Sequence, residues 1–227
     1  MDNEFRGRIR MQRLISMDLG LIRNIFSIFQ AENPEPETEL KYHDHFTLLV
    51  AVMLSAQATD VSVNKVTPNL FALANTPEAM ANLPLEVIEK YLQTINFYKT
   101  KAKNLKALSQ RITENYQGCV PARREDLESL PGVGRKTANV VLSIAFHQPT
   151  LAVDTHIHRV ANRIGFCKTN DPQATEKALL EIIPAEYLKN AHHWLILHGR
   201  YVCKARKPAC PECSIRKFCT YPDKSLA

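Results

Sequence analysis

Three short stretches of this chain carry residues whose types and spacing are suited to chemistry. The first is LPGVGRKTANVVL, Leu130 to Leu142, where two glycines punctuate a tight turn and Arg135 and Lys136 open the helical run that follows. Gly-rich turns before helices hold anions, because the first amides of a helix point outward without intrahelical acceptors. A lysine beside such a turn can pair with a phosphate. Partial burial next to Arg135 would also depress its pKa and free the amine as a nucleophile. The second stretch is VDTHIHRVANRIGF, residues 153–166, in which Asp154 precedes an amphipathic helix. An aspartate there is an N-cap, and the helix N-terminus that it caps keeps the carboxylate ionised, able to stabilise a developing cation. The third is the tail, where Cys203, Cys210, Cys213 and Cys219 are spaced C-x6-C-x2-C-x5-C.

The turn is not a nucleotide loop. A Walker sequence needs a Gly-Lys pair preceded by a glycine five residues earlier, and neither is present; no strand precedes the turn, so the dinucleotide fingerprint fails as well. What remains is a helix–turn–helix in which the backbone around Gly132, Val133 and Gly134 grips one phosphate of a nucleic-acid backbone without reading sequence. Four clustered thiols in a chain without a secretory signal point to metal rather than disulfides. Thiolate count favours zinc, whereas a single CxxC knuckle argues against a zinc ribbon and for an iron–sulfur cluster. Between the first two cysteines, Lys204, Arg206 and Lys207 lie on a loop that a metal would pin, offering three cations to phosphates at little ordering cost. Cys119 and Cys167 stand alone and read as buried structural cysteines.

The elements that must position these groups are helical almost throughout. No alternating run of strand length and no Asn-Gly or Asp-Gly hairpin signal occurs. Apolar residues recur at helical spacing over 8–30, ended by PEPE at 34–37, and further helices are predicted at 44–56 and from Asp60. Pro68 predicts a kink or early stop in the latter. Thr76-Pro77 and Leu83-Pro84 open two short helices, and 99–116 is basic and amphipathic. Helices at 123–129 and 134–147 flank the PGVG turn, and others follow near 155–165, 172–182 and 185–201. In the helix after the turn, Lys136, Asn139 and Ser143 form a polar stripe on an otherwise apolar rod. His192, His193 and His198 flank Trp194 and read as satisfied core or interface histidines.

Composition agrees with a globular chain of 227 residues, 45% hydrophobic and 23% charged. The apolar run FTLLVAVML is too short to span a bilayer, so no membrane association is expected and the address is cytoplasmic. The net charge is +6, and residues 200–227 hold seven basic residues against two acidic ones. Such a patch suits phosphates if its segment is rigid.

Taken together, LPGVGRKTANVVL, VDTHIHRV, LSAQATD at 54–60, HHWLILHGRYVC at 192–203 and the four-cysteine tail resemble the endonuclease III family of helix-hairpin-helix DNA glycosylases, from about residue 17 to the end. The resemblance implies an all-α, two-lobed fold. A six-helix domain would span 38–148, and residues 1–37 with 149–227 would form a second domain around a [4Fe–4S] cluster held by Cys203, Cys210, Cys213 and Cys219. It implies Lys136 as catalytic lysine, Asp154 as catalytic aspartate, and Gln57 as the residue filling the gap left by a flipped base. Phe97 falls where relatives carry a leucine wedge, and His156 is a candidate DNA contact. Pro68 and the leader of residues 1–16 depart from the family pattern.

The implied activity is bifunctional: removal of oxidised pyrimidines from double-stranded DNA, then strand cleavage at the abasic site by β-elimination, by a monomer in the nucleoid. Two rivals stand beside it. The adenine-mismatch glycosylase branch lacks the lysine and carries an extra C-terminal domain, whereas this chain has Lys136 and ends eight residues after Cys219. A non-catalytic DNA-binding or redox-sensing module would use hairpin and cluster for docking alone and would form no covalent complex.

Overall fold

The computed structural model describes residues 19–222, and all of its regular elements there are helical. The leader, the predicted helical residues 8–18 and the last basic residue, Lys224, lie outside the described residues. Two compact units divide the chain: one is Thr38–Gln148, and the other joins the residues before and after it.

Within Thr38–Gln148 the organising element is α2 (His45–Leu54), which follows α1 (Leu19–Glu32) in chain order. Its sequence HFTLLVAVML leaves no polar face, and nine of its ten residues are buried. A helix apolar all round must sit inside other helices, and α2 packs against α3 (Asp60–Leu73), α6 (Tyr98–Tyr116) and α8 (Arg135–Phe146). Asp44 closes its N-terminus in a capping box with Thr47. The short helices α4 (Pro77–Asn82) and α5 (Leu85–Leu92) pack on α6, and α7 (Arg124–Ser129) packs on α8. Lys106 Nζ donates to Ala81 O at 2.7 Å, so α6 satisfies carbonyls at the end of α4.

Three expectations change here. Helix α3 runs past Pro68 for another turn, to Leu73. Val66, Thr67, Leu70 and Phe71 are buried around that point, and their burial outweighs the roughly 3 kcal/mol that an interior proline costs. Asn139 and Ser143 do not form an outer polar stripe on α8 but are themselves buried, with Val140 beside them. Cys119 is exposed, because it lies in the connection after α6, whereas Cys167 is buried as expected.

The second unit holds α1 together with α9 (Thr155–Ile164), α10 (Pro172–Ile182) and α11 (Ala185–Leu197). Its core is aromatic: the Phe26 ring stacks on Phe166 and Tyr187, with centroids 5.7 and 5.5 Å away, and meets Phe29 and Trp194 at steeper angles. Trp194 satisfies its indole N–H on Asn33 O at 2.8 Å. Helix α11 ends at Leu197 rather than near 201 and widens into one π-type turn, His198–Val202. His192, His193 and His198 are buried as expected, but both ring nitrogens of His193 lack a hydrogen-bond partner among the described residues.

Candidate functional site

In the Thr38–Gln148 unit, the turn between α7 and α8 is closed by Val133 N–H donating to Leu130 O at 3.1 Å. The Val133 side chain is buried, so Val133 shapes the turn from within and turns only its backbone to the surface. Gly132 sits at φ 78°, and a Cβ there would come within 3.0 Å of the Asn104 side chain, so the fold itself demands glycine. At Gly134 a Cβ would meet nothing within 4 Å. That residue occupies the N-cap of α8, where no side chain caps the helix. Arg135 and Lys136 follow in the first turn, both exposed. The partial burial considered for Lys136 is absent, because the first turn of α8 faces solvent.

The same unit carries Gln57 and Phe97. Gln57 occupies the connection between α2 and α3 at φ 55°, and Phe97 precedes α6 at φ 58°. Phe97 is 64% exposed, an unusual state for a phenylalanine. Asn96 Nδ2 donates to Gln57 O at 3.2 Å, tying the two loops together. Gln57, Thr59, Thr94 and Asn96 line one open groove of about 450 Å³.

In the other unit Asp154 caps α9, its Oδ1 accepting from His156 N at 2.9 Å and Ile157 N at 2.8 Å. The carboxylate is thus fixed by two backbone amides at the positive end of the helix, half-buried. His156 Nδ1 lies 3.3 Å from Arg159 Nη2. A guanidinium only donates, so Nδ1 accepts and the proton of a neutral ring sits on Nε2.

Helix α9 also braces the cysteine loop. Arg159 donates to Gly199 O at 2.9 Å and to Cys203 O at 3.2 Å. One turn further, Arg163 donates to Lys204 O at 2.7 Å and Ala205 O at 2.8 Å, and its Nη1 approaches Cys203 Sγ at 3.7 Å. Gly165 admits the other end of the loop: a Cβ there would meet Thr220 Oγ1 at 2.3 Å. Sequence reasoning missed both arginines, although their i, i+4 spacing put them on one face of the Asp154 helix. With its backbone so held, the loop leaves Lys204, Arg206 and Lys207 exposed.

Cys203, Cys210, Cys213 and Cys219 line a single pocket with Ile164, Val202, Ile215 and Tyr221. Among the described residues no three His, Cys, Asp or Glu side chains gather closely enough to hold one metal ion. Burial pushes the Cys213 thiol up to about 11, against the N–H of Ile215, and the neighbouring thiols of Cys219, Cys203 and Cys210 push it further. Four thiolates can coexist there only with a compensating positive charge. A set of four thiolates fits an iron–sulfur group.

Comparison with known proteins agrees with this geometry. The HhH-GPD family, described as HhH-GPD superfamily base excision DNA repair protein, matches residues 50–185. The chain is 54% identical to Endonuclease III of Rickettsia conorii over 205 residues, covering 90% of this chain and 98% of the relative. It is 52% identical to Endonuclease III of Escherichia coli K12 over 200 residues, covering 88% and 95%. Among solved structures, a trapped Endonuclease III–DNA covalent intermediate matches with a TM-score of 0.83 at 43% identity, covering 90% of this chain and 96% of that one. No helix among the described residues is long and apolar enough to cross a membrane.

Proposed function

This chain belongs to the endonuclease III family, and from that premise we propose that Lys136 and Asp154 carry out its chemistry on oxidised pyrimidines and abasic sites in double-stranded DNA. It is a base-excision-repair enzyme, a DNA glycosylase with AP lyase activity. The observation that carries the assignment is identity of more than half of the residues over 98% of a curated endonuclease III, in a chain whose hairpin ends on an exposed lysine.

The Lys136 amine attacks C1′ of the damaged nucleotide, the N-glycosidic bond breaks, and the base departs with its bonding electrons. Asp154, held as an anion-side cap by two amides, offsets the positive charge that develops on the sugar. The resulting Schiff base acidifies the C2′ proton. Its removal expels the 3′ phosphate oxygen and breaks the strand by β-elimination. Gly132, Gly134 and Arg135 seat the backbone phosphate that brings the sugar to Lys136. Gln57 fills the space of the extruded base, Phe97 wedges beside the opposite strand, and His156, Lys204, Arg206 and Lys207 add contacts to the duplex.

Cys203, Cys210, Cys213 and Cys219 would hold a [4Fe–4S] cluster, whose positive iron supplies the charge that four thiolates need. Its role here is structural: the loop it pins carries the three cations and packs on the Asp154 helix. A brown protein with broad visible absorption is the expected sign, and a colourless protein with bound zinc would overturn it. The enzyme acts as a monomer in the cytoplasm, on the nucleoid.

Borohydride trapping on DNA containing thymine glycol or an abasic site tests the reaction. Wild-type protein should give a covalent adduct, and Lys136→Ala none. An adduct that persists in Lys136→Ala would overturn Lys136 as the nucleophile, and absence of an adduct in the wild type would favour the non-catalytic DNA-binding reading.

A further inference from the structure

Gln57 and Phe97 are both non-glycine residues in left-handed backbone. Each such residue costs about 1–3 kcal/mol and persists only where neighbouring structure enforces it. Two hydrogen bonds between the same two segments supply the enforcement. Lys101, 6% exposed and one turn into α6, donates from Nζ to Leu54 O at 2.8 Å, the last residue of α2. Its own N–H donates to Phe97 O at 3.0 Å. Lys101 is therefore bonded to the base of both loops at once, and burial holds its ammonium below the ordinary lysine pKa. At the exposed end, Asn96 Nδ2 holds Gln57 O across a sequence separation of 39.

We infer that Asn96 and Lys101 are positioning residues that lock Gln57 and Phe97 into one preformed, two-pronged wedge, so that both side chains enter the duplex together. The inference rests on the reading that Gln57 and Phe97 insert. Its physical content is preorganisation: neither loop has to be ordered at the moment of insertion, so less of the binding free energy is spent on ordering and more is left for unstacking the damaged base. The two positioning residues divide the work. Lys101 terminates α2 from within the core, and its removal would also destabilise the fold. Asn96 is exposed and holds only the loops together, which makes it the cleaner probe.

The test uses full-length Asn96→Ala on thymine glycol in a fully paired duplex and on the same lesion inside a bubble of unpaired bases, where unstacking is already done. Single-turnover excision from the duplex should slow by about three- to tenfold, the worth of one net hydrogen bond, while excision from the bubble stays at the wild-type rate. Fluorescence of a 2-aminopurine beside the lesion should rise less on binding. In a Phe97→Ala background the Asn96→Ala change should cost less than it does alone, because only Gln57 is left for it to position. Equal slowing on both substrates would mark Asn96 as merely structural and overturn the inference. So would wild-type duplex rates in Asn96→Ala alongside a slow Phe97→Ala. If Gln57→Ala and Phe97→Ala are themselves as fast as wild type, it is the wedge reading that fails, and that pattern is distinct from the other two.

Discussion

Two helix N-termini in this molecule are built in opposite ways. Helix α9 begins on Asp154, whose carboxylate accepts two of the helix's own amides. Helix α8 begins on Gly134, which caps nothing and has open space where a Cβ would be. The macrodipole is the same in both, about half a positive charge at the first turn. At α9 the charge is matched by a resident anion, and the helix is braced from behind by the Arg159 and Arg163 bonds to the cysteine loop. At α8 it is reinforced by two exposed cations, Arg135 and Lys136. One terminus is built to keep a negative charge in a fixed place. The other suits a negative charge that arrives from outside.

The sharpest way to break this comparison is Asp154→Asn. Asparagine caps as well as aspartate, so the melting temperature should hardly move, yet the formal charge is gone. If the carboxylate serves the reaction, glycosylase turnover falls by about 10²–10³-fold, the size seen when one preorganised electrostatic group is removed. Asp154→Ala loses the cap too and should cost about 1 kcal/mol of stability in denaturant melts. Equal activity in wild type and Asp154→Asn would reduce Asp154 to a cap.

That the cap could be named in advance, and the brace behind it could not, follows from the range of the interactions. Asp154, Thr76 and the cysteine spacing are local patterns: their partners lie within a few residues, and sequence displays them directly. Arg163 finds its acceptors 41 and 42 residues away, and Asn96 finds Gln57 at 39. Nothing in a single sequence marks such pairs. The early stop allowed for at Pro68 did not occur for the converse reason, since a strong local signal was overridden by burial on the far side of its helix. The exposure of Lys136 and Cys119 likewise depends on which helix face finds neighbours, which periodicity alone left unsettled.

A second difference between the two units should appear in acid. The unit containing α9 buries His193, whose pKa is drawn down to about 4 by burial, while the Thr38–Gln148 unit buries no histidine. The unfolded chain takes up that proton near pH 6.5 and the folded one only near 4. His193 therefore adds its full stability above about pH 6.5 and loses it as pH falls toward 4, up to about 3 kcal/mol. Hydrogen exchange at pH 5 should deprotect α9–α11 ahead of α2–α8, and His193→Phe should narrow the gap. Uniform deprotection across both units would remove this contrast.

The finest test lies within the hairpin, where two glycines two residues apart are glycine for different reasons. Gly132 is required by the chain: at φ 78° an alanine is strained, and its Cβ presses on Asn104. Gly132→Ala should cost about 1–3 kcal/mol of stability, with DNA binding weakened as a consequence. Gly134 has an extended backbone and no neighbour within 4 Å of a built Cβ, so Gly134→Ala should cost no more than about 1 kcal/mol, the preference for Gly over Ala at an N-cap. If the α8 terminus receives a phosphate, the methyl group stands where that phosphate must come, and duplex affinity falls without any loss of fold. Affinity of Gly134→Ala measured by fluorescence anisotropy, beside its melting curve, separates the two. Wild-type affinity in that variant would mean that the open terminus is left uncapped for some reason other than the anion it is built to meet.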